Sequence, residues 1–170
     1  MNYAGIKYFD IANAPGVGVS LFVSGCPLHC EGCFNSEAQD YNFGEPYTNK
    51  TTSTIVEFFK KHPQVKSFSL LGGEPFAQDV NGRAHLAHLV QRLRDETQCE
   101  NYWVWSGQKF EDLIQKPEGK LLLMFDVLVD GPFELDKKDL SLAHRGSSNQ
   151  RIIDLKHFFK TGEVELWSES

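Results

Sequence analysis

The sequence lacks several features that would assign it to a common class of protein. None of its apolar runs approaches the length of a membrane span, and residues 1–10 hold no continuous apolar stretch of the kind that signal peptides contain. The net charge of −6 gives no overall reason to expect nucleic-acid or membrane binding. We therefore expect a cytoplasmic protein whose partners include neither nucleic acid nor membrane.

Internal repeats, low-complexity tracts and interdomain linkers are also missing from the 170 residues. That length suits one domain with a substantial core and is too short for two ordinary ones. The composition, 41% hydrophobic and 24% charged, is typical of a globular chain. We expect a single domain over residues 1–170.

Cysteine is scarce, but three of the four cysteines lie together in Cys26-Pro-Leu-His-Cys30-Glu-Gly-Cys33. Thiols crowded on one short loop are poor disulfide partners and good ligands for a soft metal centre. A closed zinc site usually has four protein ligands, whereas an iron–sulfur cluster held by three thiolates leaves one iron free for chemistry. The spacing favours the cluster, and a zinc site completed by His29 or Cys99 is the alternative.

Strand and helix patterns alternate along the chain. Apolar and β-branched runs predict strands, and apolar residues at helical spacing predict helices. The predicted strands are 17–24, 65–71, 101–105, 126–129 and 151–155; the predicted helices are 51–62, capped by Thr52 or Ser53, 82–97, 110–115 and 156–160, with a further helical stretch at 121–125. Residues 133–150 read as a polar loop. This alternation predicts an α/β fold with a mostly parallel sheet and right-handed crossovers.

Polar or glycine-rich segments follow four of the predicted strands. They are the cysteine loop, Gly72-Gly73-Glu74-Pro75, Ser106-Gly107 and Asp130-Gly131. Ligands bind at the carboxyl ends of parallel strands, so we expect these segments to meet at one edge. A closed eight-stranded barrel typically needs about 250 residues. We therefore predict a partial, open (βα) barrel, which can accept a segment of a large substrate.

The cysteine spacing resembles the signature of radical S-adenosylmethionine (SAM) enzymes, and residues 72–75 resemble their second motif. Within that superfamily, the chain resembles the activating proteins of anaerobic ribonucleoside-triphosphate reductase. The resemblance runs from about residue 3 to residue 153 and rests on residues 26–35 (CPLHCEGCFN), 103–107 (WVWSG), 126–133 (DVLVDGPF) and 145–153 (RGSSNQRII). It implies a radical SAM type of open barrel.

The resemblance also implies a cofactor set. Cys26, Cys30 and Cys33 would each bind one iron of a [4Fe–4S] cluster, and the amino and carboxylate groups of SAM would chelate the fourth. Bare backbone at Gly72 and Gly73 would approach the methionine part of SAM. The backbone carbonyls there, together with the following Glu74, would accept hydrogen bonds from its ammonium group.

Other residues of the cofactor site are expected by the same resemblance. The backbone of Gly32, Cys33 and Phe34 would touch the adenine, although the superfamily often has its aromatic residue just before the third cysteine, where this chain has Gly32. The Phe34 side chain suits either the adenine or the core. Ser106 would bond the ribose or the methionine part, or serve as a turn serine, and Asp130 is a similar candidate. Arg151 is a candidate cation for the carboxylate of SAM.

The implied activity is the formation of a glycyl radical on the reductase. An external donor, by analogy a flavodoxin-like protein, would reduce the cluster, and SAM would be cleaved to methionine and a 5′-deoxyadenosyl radical that takes a hydrogen atom from a glycine of the reductase. One alternative is another small radical SAM enzyme, either an activator of a different glycyl-radical enzyme or a carboxy-deazaguanine synthase-like catalyst. A zinc-stabilised binding module is the other.

Overall fold

The computed structural model describes residues 1–169, and Ser170, the last residue of the predicted domain, lies outside the described residues. Within the described range, the strands join in one seven-stranded sheet. The strands are β1 (Asn2–Asp10), β2 (Gly18–Val23), β3 (Glu45–Pro46), β4 (Ser67–Gly72), β5 (Asn101–Trp105), β6 (Val127–Asp130) and β7 (Arg151–Asp154). Their order across the sheet is β3-β1-β2-β4-β5-β6-β7.

The centre of the sheet is parallel and its margins are antiparallel. Strands β2, β4, β5 and β6 run in the same direction, in registers that pair Leu21 with Leu70 and Val104 with Leu128. β1 runs antiparallel to β2, β3 to β1, and β7 to β6. The end strands β3 and β7 do not pair with each other, so the sheet stays open, as the chain length predicts.

Four α-helices occur within residues 1–169, and most of them connect or follow the parallel strands. They are α1 (Asn49–Lys61), α2 (Val80–Glu96), α3 (Phe110–Leu113) and α4 (Leu155–Thr161), and 3-10 turns occupy Ser36–Gln39, Pro75–Ala77, Pro117–Met124 and Leu135–Lys137. The predicted cap of α1 at Thr52 or Ser53 is wrong. The helix starts earlier, because the backbone N–H of Thr48 donates to Thr51 Oγ1 (3.1 Å) and Thr52 is buried inside the first turn.

Alternate strand residues pack into two cores on opposite faces of the sheet. The larger core joins strand side chains such as Leu21 and Val104 to helix side chains such as Ile55 and Leu89. The smaller core is centred on Trp103 and also contains Ala14, Val127 and Val129. Because the helices cover one face only, the other face is left to loops and the C-terminal segment.

The structure confirms an α/β architecture with an open sheet whose central strands are parallel. The five predicted strands and four predicted helices exist with small shifts at their ends. Strands β1 and β3 were not predicted, and the stretch expected to continue a helix at 121–125 lies in the 3-10 turn Pro117–Met124. Across the described chain, no helix is long and apolar enough to cross a membrane.

Candidate cofactor site

The three clustered cysteines lie on the loop that follows β2, at the carboxyl edge of the parallel strands. All three are free and partly exposed. The start of the loop is fixed by backbone bonds from Gly25 N to Ala38 O (2.7 Å) and from Cys26 N to Gln39 O (3.0 Å). Burial raises the pKa of the Cys26 thiol. A rigid base with accessible thiols suits a cluster, because each thiolate binds a different iron.

The structure separates Cys99 from the cysteine loop and engages one ring nitrogen of His29, the other residue proposed as a fourth zinc ligand. Cys99 immediately precedes β5, so it lies at the amino edge of the parallel strands, where its Sγ faces the carbonyl of Lys66 (3.4 Å). The cysteine loop lies at the opposite edge, about 15 Å away along a five-residue strand. The His29 ring is directed to Gln39 Oε1 (3.0 Å). Among residues 1–169, no three His, Cys, Asp or Glu side chains converge as one metal ion would require.

The Gly72-Gly73 segment packs directly on the base of the cysteine loop. Gly73 N donates to Val23 O (2.8 Å), and Glu74 N donates to Gly25 O (2.8 Å). A Cβ on Gly73 would lie 2.5 Å from Gly25 O, and Gly72 has a φ of +110°. Glycine is therefore required here by the contact between two loops. The approach of the Gly72 and Gly73 backbone to the methionine part of SAM remains a prediction.

The Glu74 carboxylate is buried and connects the loop after β4 to the loop after β5. It accepts hydrogen bonds from Phe76 N (3.2 Å), Ser106 Oγ (3.0 and 3.1 Å) and Gly107 N (2.8 Å). Burial raises its pKa to about 7, against the opposing effect of these donors. The Ser106 hydroxyl, expected at SAM or in a turn, therefore contacts Glu74 in this structure, and the contact of both residues with SAM remains a prediction.

Asp130 ends β6 at the same edge, but its carboxylate is directed to neighbouring residues of the chain. It accepts from Phe110 N (2.8 Å) and from the guanidinium of Arg151 (Nε, 3.1 Å). The guanidinium also pairs with Glu111 (2.9 and 2.7 Å). These pairs raise the pKa of Arg151 above its ordinary value. Arg151, the candidate cation for the SAM carboxylate, is thus paired with Asp130 and Glu111 in this structure.

The far end of the cysteine loop contacts the segment after β6. Gly32 has a φ of +72°, and a Cβ there would lie 2.8 Å from Leu135 Cδ1. Phe34 is 57% exposed, so its interpretation as a core residue is wrong. Its ring packs against Phe133, with ring centroids 5.0 Å apart, and against Gly146. An adenine contact by residues 32–34 stays a prediction.

A cleft of about 870 Å³ lies beside the cysteine loop and joins several of these elements. It is lined by Pro27, Leu28, Glu74, Phe76, Ala77, Gly107, Gln108, Lys109, Asp112, Gln115, Lys116, Glu118 and Pro132. The sequence predicted Glu74 here but missed Gln108, Lys109 and Lys116, which belong to no motif. Their one sequence signal is that polar residues follow the carboxyl end of β5.

The chain is an α/β protein with an open sheet, and the three free thiols on one loop suit the binding of a single [4Fe–4S] cluster. In agreement, a family model described as a 4Fe-4S single cluster domain matches residues 12–153, which include Cys26, Cys30 and Cys33. No solved structure matches the chain.

Curated relatives define the family further. The anaerobic ribonucleoside-triphosphate reductase-activating protein of Escherichia coli (strain K12) is 38% identical over 158 residues, which cover 92% of this chain and 100% of the relative. The protein of that name from Pasteurella multocida is 36% identical over 89% of this chain and 96% of the relative. The one from Enterobacteria phage T4 is 34% identical over 89% and 93%. This chain belongs to the family of anaerobic ribonucleoside-triphosphate reductase-activating proteins.

Proposed function

We propose that this chain activates an anaerobic ribonucleoside-triphosphate reductase by generating a glycyl radical on it, as a radical SAM enzyme of the cytoplasm. Residues 1–170 would form one domain, an open (βα) barrel of the radical SAM type. The observation that carries the proposal is the loop of three free thiols, from which the fourth cysteine, Cys99, is separated by the length of a strand. The family of the chain supports the same activity and the same protein substrate.

The cofactors of the proposal are a [4Fe–4S] cluster on Cys26, Cys30 and Cys33 and SAM on the remaining iron. When bound, the reduced cluster would supply one electron for the cleavage of SAM to methionine and a 5′-deoxyadenosyl radical, which would take a hydrogen atom from a glycine of the reductase and leave as 5′-deoxyadenosine. The chain contributes thiolate ligands, a rigid loop base and a cleft beside the loop. A low-potential donor, by analogy a flavodoxin-like protein, would reduce the cluster.

The open sheet fits a macromolecular substrate. Strands β3 and β7 leave the two ends of the sheet unpaired with each other, and the cleft beside the cysteines opens to the surface. A glycine within a polypeptide has no side chain to be grasped, so its neighbours along the reductase chain must provide the binding contacts. An open edge admits such a segment more readily than a sealed interior does.

The proposal is tested with protein reconstituted under anoxia with iron and sulfide. Dithionite and SAM should yield 5′-deoxyadenosine, and addition of the reductase should yield the glycyl-radical signal in electron paramagnetic resonance. Cys30→Ala should abolish both products, and Cys99→Ala should retain them. One bound zinc in place of about four irons per chain, or no 5′-deoxyadenosine from the intact cluster, would overturn the proposal.

A further inference from the structure

Two large apolar side chains are exposed at the far end of the cysteine loop. Phe34, which follows Cys33, is 57% exposed, and Leu135 is 45% exposed. Leu135 packs against the loop at Gly32, where an added Cβ would lie 2.8 Å from Leu135 Cδ1. Phe34 in turn packs against Phe133, with ring centroids 5.0 Å apart. The segment after β6 thus touches the end of the cysteine loop at two points and leaves apolar surface open to solvent there.

A third exposed side chain, Leu140, belongs to a loop of residues 138–147 whose ends are joined by an antiparallel bridge. Gly146 of this loop packs on the Phe34 ring, since an added Cβ would lie 2.9 Å from Phe34 Cε2. Asp139 N donates to Gly146 O (3.2 Å), and Leu140, the next residue, is 81% exposed. Exposed apolar side chains that lie together mark interaction surfaces. We call these three side chains the apolar patch: Phe34, Leu135 and Leu140.

The 138–147 loop is held in one conformation by Gln150. The Oε1 atom of Gln150 accepts hydrogen bonds from Gly146 N (2.9 Å) and Ser147 N (3.1 Å). The backbone N–H of the residue before Leu135 donates to Ser147 Oγ (3.2 Å), so the preceding segment is tied to the same loop. A surface that is ordered before it meets a partner loses less conformational entropy on binding. Gln150 is therefore a positioning residue for the apolar patch.

The apolar patch and the cleft adjoin opposite ends of the cysteine loop. The cleft of about 870 Å³ is lined by Pro27 and Leu28 at the start of the loop, whereas the patch adjoins residues 32–34 at its end. Small-molecule sites are concave and enclose most of their ligand. The patch side chains are about half exposed or more, so they suit a macromolecule that covers them from outside.

We propose that the apolar patch, held in shape by Gln150, is the surface on which the reductase docks the polypeptide segment that carries its glycine. The inference rests on the proposed function, which makes that reductase the substrate. The glycine must come close to a cofactor bound at Cys33 and its neighbours, so the residues that flank it reach the surface beside the cysteine loop. Because glycine offers no side chain, apolar residues on either side of it supply the affinity by covering the patch.

The test separates docking from cofactor chemistry. Sedimentation velocity under anoxia measures the Kd of the reductase for the reconstituted protein with SAM, and 5′-deoxyadenosine formation with dithionite is measured without the reductase. We expect Leu140→Asp to raise the Kd of the reductase about tenfold, because docking would bury an unpaired charge. It should leave reductase-free 5′-deoxyadenosine formation within about twofold. Leu140 is largely exposed, so this variant should fold as the unaltered protein does.

Leu123→Asp is the matched control. Leu123 is 64% exposed and lies in the 3-10 turn Pro117–Met124, just before β6 and so at the amino edge of the parallel strands, opposite the cysteines. We expect a change in the Kd of the reductase of less than about twofold, with iron content and circular dichroism equal in all variants.

Gln150→Leu tests the positioning role. It removes the hydrogen bonds that hold the 138–147 loop, and it should also raise the Kd of the reductase. The double variant Gln150→Leu/Leu140→Asp should raise the Kd by less than the product of the two single effects, because both changes act through one surface. Fully multiplicative effects would show that Gln150 acts independently of the apolar patch and overturn its positioning role.

Failure of this inference is distinguishable from failure of the proposed function. An unchanged Kd in Leu140→Asp, or equal increases in Leu140→Asp and Leu123→Asp, would overturn the docking surface. A matching loss of reductase-free 5′-deoxyadenosine formation would assign the patch to the cofactor, and a dimer of the unaltered protein that Leu140→Asp dissociates would assign it to a second copy of the chain; both overturn the inference while the function stands. If the unaltered, iron-loaded protein forms neither 5′-deoxyadenosine nor the glycyl radical, the proposed function itself is wrong.

Discussion

Replacing Arg151 tests whether this cation serves the fold. Arg151→Met leaves the Asp130 carboxylate, whose side chain is 2% exposed, without its guanidinium partner. Breaking a buried ion pair by removing one member costs about 3–5 kcal/mol. Because the Arg151 side chain is 35% exposed, water can replace part of the lost interaction, and we expect a loss near the lower end, about 3 kcal/mol. Urea unfolding followed by circular dichroism measures the difference.

Two further variants make this prediction specific. Asp130→Asn combined with Arg151→Met should be more stable than Arg151→Met alone, because a neutral amide avoids an unpaired buried charge. Lys137→Met removes an ion pair whose two side chains are 47% and 37% exposed, and it should leave the urea midpoint nearly unchanged. The reasoning is refuted if Arg151→Met loses less than about 1 kcal/mol while its affinity for SAM falls, since Arg151 would then serve the cofactor.

Three other results are expected. Cys30→Ala should lower bound iron and Cys99→Ala should leave it unchanged, as measured by iron and sulfide analysis; equal losses would place Cys99 in the site. Gly73→Ala should lower the free energy of unfolding by at least about 2 kcal/mol, because its Cβ would lie 2.5 Å from Gly25 O; an unchanged urea midpoint would contradict this contact. Burial raises the pKa of Glu74 to about 7, so the folded chain favours the protonated side chain. The contribution of Glu74 to the free energy of unfolding is therefore greatest below about pH 4.5 and is lost as the pH rises through 7. Urea unfolding of cluster-free protein should therefore show a fall on the order of 3 kcal/mol between about pH 5 and pH 8 that Glu74→Gln lacks, and parallel pH profiles would argue against it.

The central strands were predictable because their signals are local. The run Asn101–Trp105 is apolar after its first residue and is bounded by polar and glycine residues, and the strand has those limits in the structure. β1 was missed because polar, glycine and apolar residues are mixed along it without a strand pattern. Its extended conformation is stabilised by antiparallel pairing with β2. An antiparallel neighbour of this kind follows from the contact between two segments and leaves little trace in either one.

In the candidate site, too, local features could be predicted from the sequence and contacts between distant segments could not. Cys26, Cys30 and Cys33 could be grouped as candidate cluster ligands from their spacing alone, since they are close in sequence on one loop. The bond between Ser106 and Glu74 joins residues 32 positions apart, and no pattern within either loop reveals it. The same holds for the pairing of Arg151 with Asp130, which depends on two strands being neighbours.

The buried thiol of Cys99 can report whether the chain is folded. Burial raises the pKa of Cys99 to about 12, so at neutral pH it is a shielded thiol, slow to react with an alkylating reagent. The three loop thiols of the cluster-free protein are open to the same reagent. Labelling should stop at three adducts while the chain is intact, and a fourth adduct, read by mass spectrometry, would report that the sheet has come apart.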